Sequence, residues 1–281
     1  MKRSSFLHAT TLTVLAFLTL TVCQAWAAVA INEPSGVAVD SKGNLYVANS
    51  GTNQILIYNT KYVQSKKIIT AGVVHPMGVA FDSVGNLYVS NYGQTGLDSA
   101  VTVYDPTGKQ LPGNTITDNV QFAFGIAVDS MNDVWVNNAD SYVTAHSTYG
   151  TYLGTNNPGT LSAIATRGPW YVVATGTQAY LYSVGEVLHN FASVYNIFTG
   201  AGNITALGFD NTNRCYLYVS TGEVDLWNPA SGISTFTQMG GDYQISSIAV
   251  DNAHGRVFLS TFNNSRIYVY STSGQFITLI L

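Results

Sequence analysis

One phrase recurs five times along the chain. Residues 34–49 (PSGVAVDSKGNLYVAN) return as 75–91 (HPMGVAFDSVGNLYVSN), 124–138 (FGIAVDSMNDVWVNN), 207–221 (LGFDNTNRCYLYVST) and 247–261 (SIAVDNAHGRVFLST). A unit this short cannot bury its own apolar face, so the copies must stack and cover one another. Each holds two β-rich runs around a polar turn, as in residues 36–39, 40–44 and 45–47. Asp, Ser, Gly and Asn between such runs predict a hairpin, with Gly43 and Gly85 supplying positive φ. A third, alternating run ends on an aromatic ring at Tyr58, Tyr104, Trp227 and Tyr270, and on His146 in the third copy. A fourth, weaker run is expected at 67–70 and 276–281.

The aspartate that closes the first run stands at 40, 82, 129, 210 and 251, at spacings of 42, 47, 81 and 41 residues. The long gap is two periods. Residues 162–166, 170–175 and 179–182 supply the three strands of a sixth copy. The prediction is therefore all-β: a six-bladed β-propeller of four-stranded antiparallel blades, whose radial order leaves only short edges. Ring closure also covers the apolar ending 277–281. It is expected to come from packing of the last copy on the first, with residues 28–31 adding to an outer edge.

Residues 1–27 read as a cleaved secretory signal peptide: basic Lys2 and Arg3, the apolar run 12–20, and small residues around Trp26 at Ala25 and Ala27. The propeller is then 28–281 and secreted, extracellular or periplasmic, with lipid attachment at Cys23 as a minor alternative. Cleavage after Ala27 leaves Cys215 without a partner for an intramolecular disulfide. Charged residues are 9% of the chain and the net charge is −4, which argues against nucleic acid or an anionic membrane surface as partner. No membrane span is expected, and the protein should be a monomer.

The pattern P-x-G-[VI]-A-[VF]-D-x-x-G-N-[LV]-[YW]-V, followed by [IV]-x-[IV]-Y, resembles the NHL repeat of six-bladed propellers, most closely at residues 34–58 and 76–104. The Y-V-[AS]-N wording is also similar to YVTN-type surface propellers, which are usually seven-bladed. The NHL resemblance implies a propeller, and some such relatives are lyases or lactonases with a metal at the ring centre. Their ligands converge from the loops that lead into the innermost strands. Here those loops read Pro34-Ser35, Pro76-Met77, Phe122-Ala123-Phe124, Leu161-Ser162, Ile204-Thr205 and Ile245-Ser246. They offer an apolar and hydroxylic mouth, so no metal, cofactor or catalytic residue is expected.

The remaining chemistry-bearing residues read structurally. His146 takes a packing place, His254 a solvated turn, His189 a fourth-strand region and His75 a loop before a proline. Asp40, Asp82, Asp129, Asp210 and Asp251 suit turn-forming carboxylates that accept backbone N–H groups. Neither Gly-x-Ser-x-Gly nor a phosphate-cradling loop occurs.

The NHL pattern usually has Asp after the second strand, where this chain has Asn49, Asn91, Asn138, Thr175, Thr221 and Thr261. Two readings of that set stand: strand-end caps, or a neutral binding ring with Tyr92, Tyr149, Trp170, Tyr243 and Phe262 as aromatic platforms. Amides and hydroxyls beside aromatic faces suit a neutral glycan, a peptide or a protein partner. The expectation is a secreted binding module, with a metal-dependent lyase or lactonase and a structural cell-surface protein as the alternatives.

Overall fold

The computed structural model describes residues 27–139, 142–157, 163–168, 170–183, 192–199, 202–240 and 243–281. These form six antiparallel sheets in chain order, each built from consecutive strands. The first is β1 (Pro34–Val39), β2 (Leu45–Asn49) and β3 (Gln54–Tyr58); the second is β4 (Pro76–Phe81), β5 (Leu87–Asn91) and β6 (Ala100–Tyr104). The third is β7 (Ala123–Val128), β8 (Val134–Asn138), β9 (Tyr142–His146) and β10 (Tyr152–Asn156). The fourth, the degenerate copy, is β11 (Ala163–Arg167), β12 (Trp170–Thr175), β13 (Gln178–Ser183) and β14 (Ala192–Thr199). The fifth is β15 (Ile204–Phe209), β16 (Cys215–Val219), β17 (Glu223–Asn228) and β18 (Gly232–Gln238). The sixth is β19 (Ile245–Asp251), β20 (Arg256–Thr261), β21 (Arg266–Ser271) and β22 (Phe276–Ile280). Among the described residues no helix is long and apolar enough to cross a membrane.

Four strands per sheet holds for the last four sheets and fails for the first two. There the fourth position is reduced to isolated bridges, Ile55 with Ile69 and Tyr58 with Gln64, then Val101 with Ile116 and Tyr104 with Gln110. In the first sheet Ser65 and Ile69 touch the edge of β3 while Lys66 and Lys67 turn out to solvent. In the second, Pro112 opens a short 3-10 turn, and proline has no N–H with which to extend a ladder.

The turn chemistry follows the sequence. Asp40 Oδ1 accepts the N–H groups of Lys42 at 2.9 Å and Asn44 at 2.8 Å. Asp82, Asp129 and Asp210 each hold the residues two and four further on in the same way. Asp251 accepts the His254 N–H instead, and the His254 Nδ1 lies 2.8 Å from its Oδ2. That imidazole is exposed, as its turn position predicts, and is in addition bonded to the turn. Gly43 sits at φ 82°, and Asn132 and Asn213, at φ 66° and 65°, take the corresponding place in the third and fifth sheets.

The first strands touch in cyclic order, β1 to β4, β7, β11, β15 and β19, and β19 returns to β1. The core is accordingly divided into six seams, each filled from two neighbouring sheets. Between the sixth and first sheets, Val37, Leu45, Val47 and Leu56 pack with Phe258, Ile267, Val269 and Ile280. Residues 27–32 form no strand, contrary to the expected edge addition. Ile31 is nonetheless buried in this last seam, and Val29 exchanges two 2.8 Å hydrogen bonds with the Gln64 side chain. The glycine of P-x-G is required by approach: a Cβ on Gly36 would stand 2.7 Å from both the Gly78 Cα and the Met77 carbonyl oxygen.

Candidate functional site

The six first strands surround a channel of about 300 Å³. At the end where those strands begin, it widens into a cavity of about 700 Å³. Ser35, Met77, Phe124, Thr205 and Ser246, each the second residue of its strand, reach this mouth. His75, Tyr218, Ser220, Tyr243, Gln244, Ile245 and Phe262 complete the lining. The expected apolar and hydroxylic mouth is present, with one addition. β1 and β4 begin at Pro34 and Pro76, two residues before the glycines that mark the phrase, so Glu33 and His75 directly precede a first strand. Proline at a strand's first residue was the available signal, since that position needs no ladder N–H.

The mouth hydroxyls tie sheet to sheet. Ser246 Oγ donates to the Pro34 carbonyl at 2.6 Å, Ser35 Oγ to Pro76 at 2.6 Å, and Thr205 Oγ1 to Ile245 at 3.0 Å. Ser90 Oγ adds a bond to Phe124 at 2.9 Å, and Thr166 Oγ1 one to Val128 at 2.6 Å. Each hydroxyl has one proton, and in Ser35, Thr205 and Ser246 it goes to a main-chain carbonyl, whereas Ser220 Oγ, also in the lining, accepts the Asn203 N–H. What the first three oxygens turn to the cavity is lone pairs.

Asn49, Asn91 and Asn138 are at most 3% exposed, and their amides are spent internally rather than offered to a ligand. Their Oδ1 atoms accept the N–H groups of Asn32, Val74 and Gln121 at 2.7, 2.9 and 2.9 Å, each 17 residues earlier. Their Nδ2 groups donate to Ala30, Val89 and Val136 carbonyls and to Thr52, Thr102 and Thr144 hydroxyls. The next residues, Glu33, His75 and Phe122, are left-handed, with φ of 51°, 49° and 49°. A non-glycine residue in that region costs on the order of 1–3 kcal/mol and persists only where its surroundings impose it. The asparagine brace does so.

The threonines of the expected ring differ. Thr261 occupies the brace position opposite Ile245, but its hydroxyl is buried against Asn264 and the Arg266 carbonyl. Val219, not Thr221, pairs with Ile204. Thr221 is an exposed turn residue two places beyond the register, and Ser220 Oγ takes the Asn203 N–H at 2.9 Å in its stead. Thr175 ends β12, half-buried.

Of the aromatic candidates, Tyr243 and Phe262 line the mouth, and Tyr92 stands behind it between His75 and Phe122, 5.6 Å from each ring. Trp170 and Tyr149 lie at the opposite end of their sheets: Trp170 opens β12 at the hairpin turn, and Tyr149 is in the turn after β9. Phe124 (43% exposed) and Met77 come from the entry loops expected to form the mouth, whereas Tyr218 is lining that alignment of the copies did not single out.

Two groups away from the mouth are electrostatically distinct. His146 is fully buried, neither ring nitrogen has a hydrogen-bond partner, and burial pushes its pKa down to about 4. Its ring packs edge-on to Tyr152, as its place in the repeat predicts. Asp133 stands where the first two copies have Asn44 and Asn86; burial, and then the charge of Asp129, push its pKa up to about 6. His189, Leu161 and Ser162 lie outside the described residues. Among the described residues no three His, Cys, Asp or Glu side chains are grouped to hold a metal ion.

No curated protein matches the chain. Residues 32–58, from the braced Asn32 to the end of β3, match the family model of the NHL repeat. The chain therefore carries an NHL repeat, set in an all-β array of antiparallel sheets.

Proposed function

We propose that the protein is a secreted six-bladed β-propeller that acts as a binding module, taking a glycan or peptide ligand at the mouth of its central channel. The six sheets, their six seams and the return of β19 to β1 support the propeller, with bridges standing for a fourth strand in two blades. The observation that carries the binding reading is the mouth itself. It is a concave cavity with aromatic walls and a few convergent polar groups, and among the described residues no Asp, Glu, Lys or Arg lines it. NHL repeats build interaction modules, which fits this use of the surface.

The test is glycan and peptide array screening with residues 28–281, followed by calorimetry on each hit with wild type and Phe262→Ala. A hit weakened at least about tenfold by Phe262→Ala, with an unchanged melting temperature, supports the reading. Hits indifferent to Phe262→Ala and Phe124→Ala would place binding elsewhere and sink it. Mass spectrometry of the mature amino terminus tests secretion, with cleavage after Ala27 expected.

A further inference from the structure

The proton bookkeeping of the mouth narrows its ligand beyond that reading, on which this inference rests. Ser35, Thr205 and Ser246 have given their protons to neighbouring carbonyls and present oxygen lone pairs. Tyr218 likewise donates to the Tyr243 carbonyl. The walls between these oxygens are the rings of Phe124, Tyr218, Tyr243 and Phe262, whose faces are electron-rich. Among the described residues no Lys or Arg lines the cavity, and His75 brings an imidazole to it. Arg266 acts on the Tyr243 phenol electrostatically but does not line the cavity.

Among the described residues, Glu33 brings a carboxylate to the rim. Glu33 precedes β1 as His75 precedes β4 and Gln244 precedes β19, and the sheet it leads into lies between those two. It is exposed, held left-handed by the Asn49 brace, and fixed at its N–H by Ser265 Oγ at 3.1 Å. Lone pairs, π faces and a rim carboxylate outnumber the donor groups of the lining, the Ser220 hydroxyl and the Gln244 amide among them, and form a negative environment built from nearly neutral parts. A neutral sugar needs donors and acceptors in similar number, whereas an ammonium group brings only donors and positive charge.

We infer that the mouth receives a cationic nitrogen, the side-chain ammonium of a lysine or the terminal amine of a peptide partner. Aromatic faces and hydroxyl oxygens surround it, and Glu33 draws it in from the rim. The neutral sugar is the competing occupant.

Isothermal titration with the peptide acetyl-Gly-Lys-Gly-amide, its Nε-acetyl-lysine counterpart and a neutral oligosaccharide separates these cases. The lysine peptide should bind at least about tenfold more tightly than the acetylated one, and less tightly as salt rises. Phe262→Leu, which keeps apolar volume and removes the ring, should weaken it about three- to tenfold. Glu33→Gln, at an exposed site with little effect on folding, should reduce affinity and flatten the salt dependence. Equal binding of the two peptides, or preference for the sugar, overturns the cationic assignment and leaves the mouth as a binding site. No binding of any of the three overturns the cationic assignment; array hits indifferent to the mouth variants would in addition remove the binding-site reading.

Discussion

Replacing Asp133 by asparagine isolates an electrostatic defect that the repeat itself reveals. In the first two copies the residue four places after the turn aspartate is Asn44 or Asn86, and each donates its Nδ2 to the aspartate Oδ2 at 2.8 Å. In the third copy that place holds Asp133, a second carboxylate, and the Trp135 indole donates to Asp129 Oδ2 instead at 2.9 Å. A rise from the ordinary 3.8 to about 6 for Asp133 corresponds to about 3 kcal/mol at full weight. Asp133 is only half-buried, and solvent screening reduces this to about 1–2 kcal/mol.

The sign follows from linkage. Between pH 3.8 and about 6 the folded chain holds a proton on Asp133 that the unfolded chain has released. Stability therefore falls as pH rises through that window, and the full penalty is present above it. Asp133→Asn removes the penalty, so the variant should melt higher than wild type at pH 7.5, by about 2–6 °C for a chain of this size. At pH 4.5, where Asp133 is largely protonated when folded, most of that gain should vanish. Thermal unfolding followed by circular dichroism at both pH values is sufficient. An equal shift at both, or a lower melting temperature at pH 7.5, would refute the like-charge account.

Other substitutions probe the frame. Asn91→Ala removes a buried amide that holds His75 left-handed and should cost about 2–3 kcal/mol in denaturant unfolding; in a His75→Gly background, where no left-handed strain remains, the cost should be smaller. Gly36→Ala forces a methyl into the Gly78 backbone and should cost more than about 2 kcal/mol, whereas no loss would mean that the first strands can part. His146 has a folded pKa below its unfolded value, so its contribution is complete above pH 6.5 and is lost as pH falls toward about 4. His146→Phe should therefore gain on wild type at pH 4.5 relative to pH 8, and parallel pH profiles would count against a buried neutral imidazole. Asp82→Ala, which frees two backbone N–H groups, should destabilise by about 1–2 kcal/mol without altering ligand binding.

Whatever depends on neighbours a few residues apart could be read from the repeat. The hairpins, the aspartate-held turns, the hidden fourth sheet around Trp170 and the packing place of His146 are local, and period two with turn residues determines them. Reading failed where a partner lies farther away. Asn49, Asn91 and Asn138 look like surface amides until the segment 17 residues earlier turns back against them and buries them. Thr221 was misplaced although the spacing was legible: Val219, not Thr221, lies nine residues after Asp210, as Asn49, Asn91 and Asn138 do after their turn aspartates, and Val219 pairs with Ile204.

By itself the sequence determined an all-β array of six hairpin-based units, since each unit's apolar faces can be covered only by its neighbours. The entry loops of the mouth were legible in the repeat, but the rest of its lining was decided by tertiary structure. Ser35 and Phe124 hold the same place in their copies, whereas His75, Tyr218, Tyr243 and Phe262 share no motif with them, and these residues of five sheets meet because β19 packs back on β1. The packing of each first strand on the next also turns the Ser35, Thr205 and Ser246 hydroxyls onto neighbouring carbonyls, which leaves their oxygen lone pairs to the cavity.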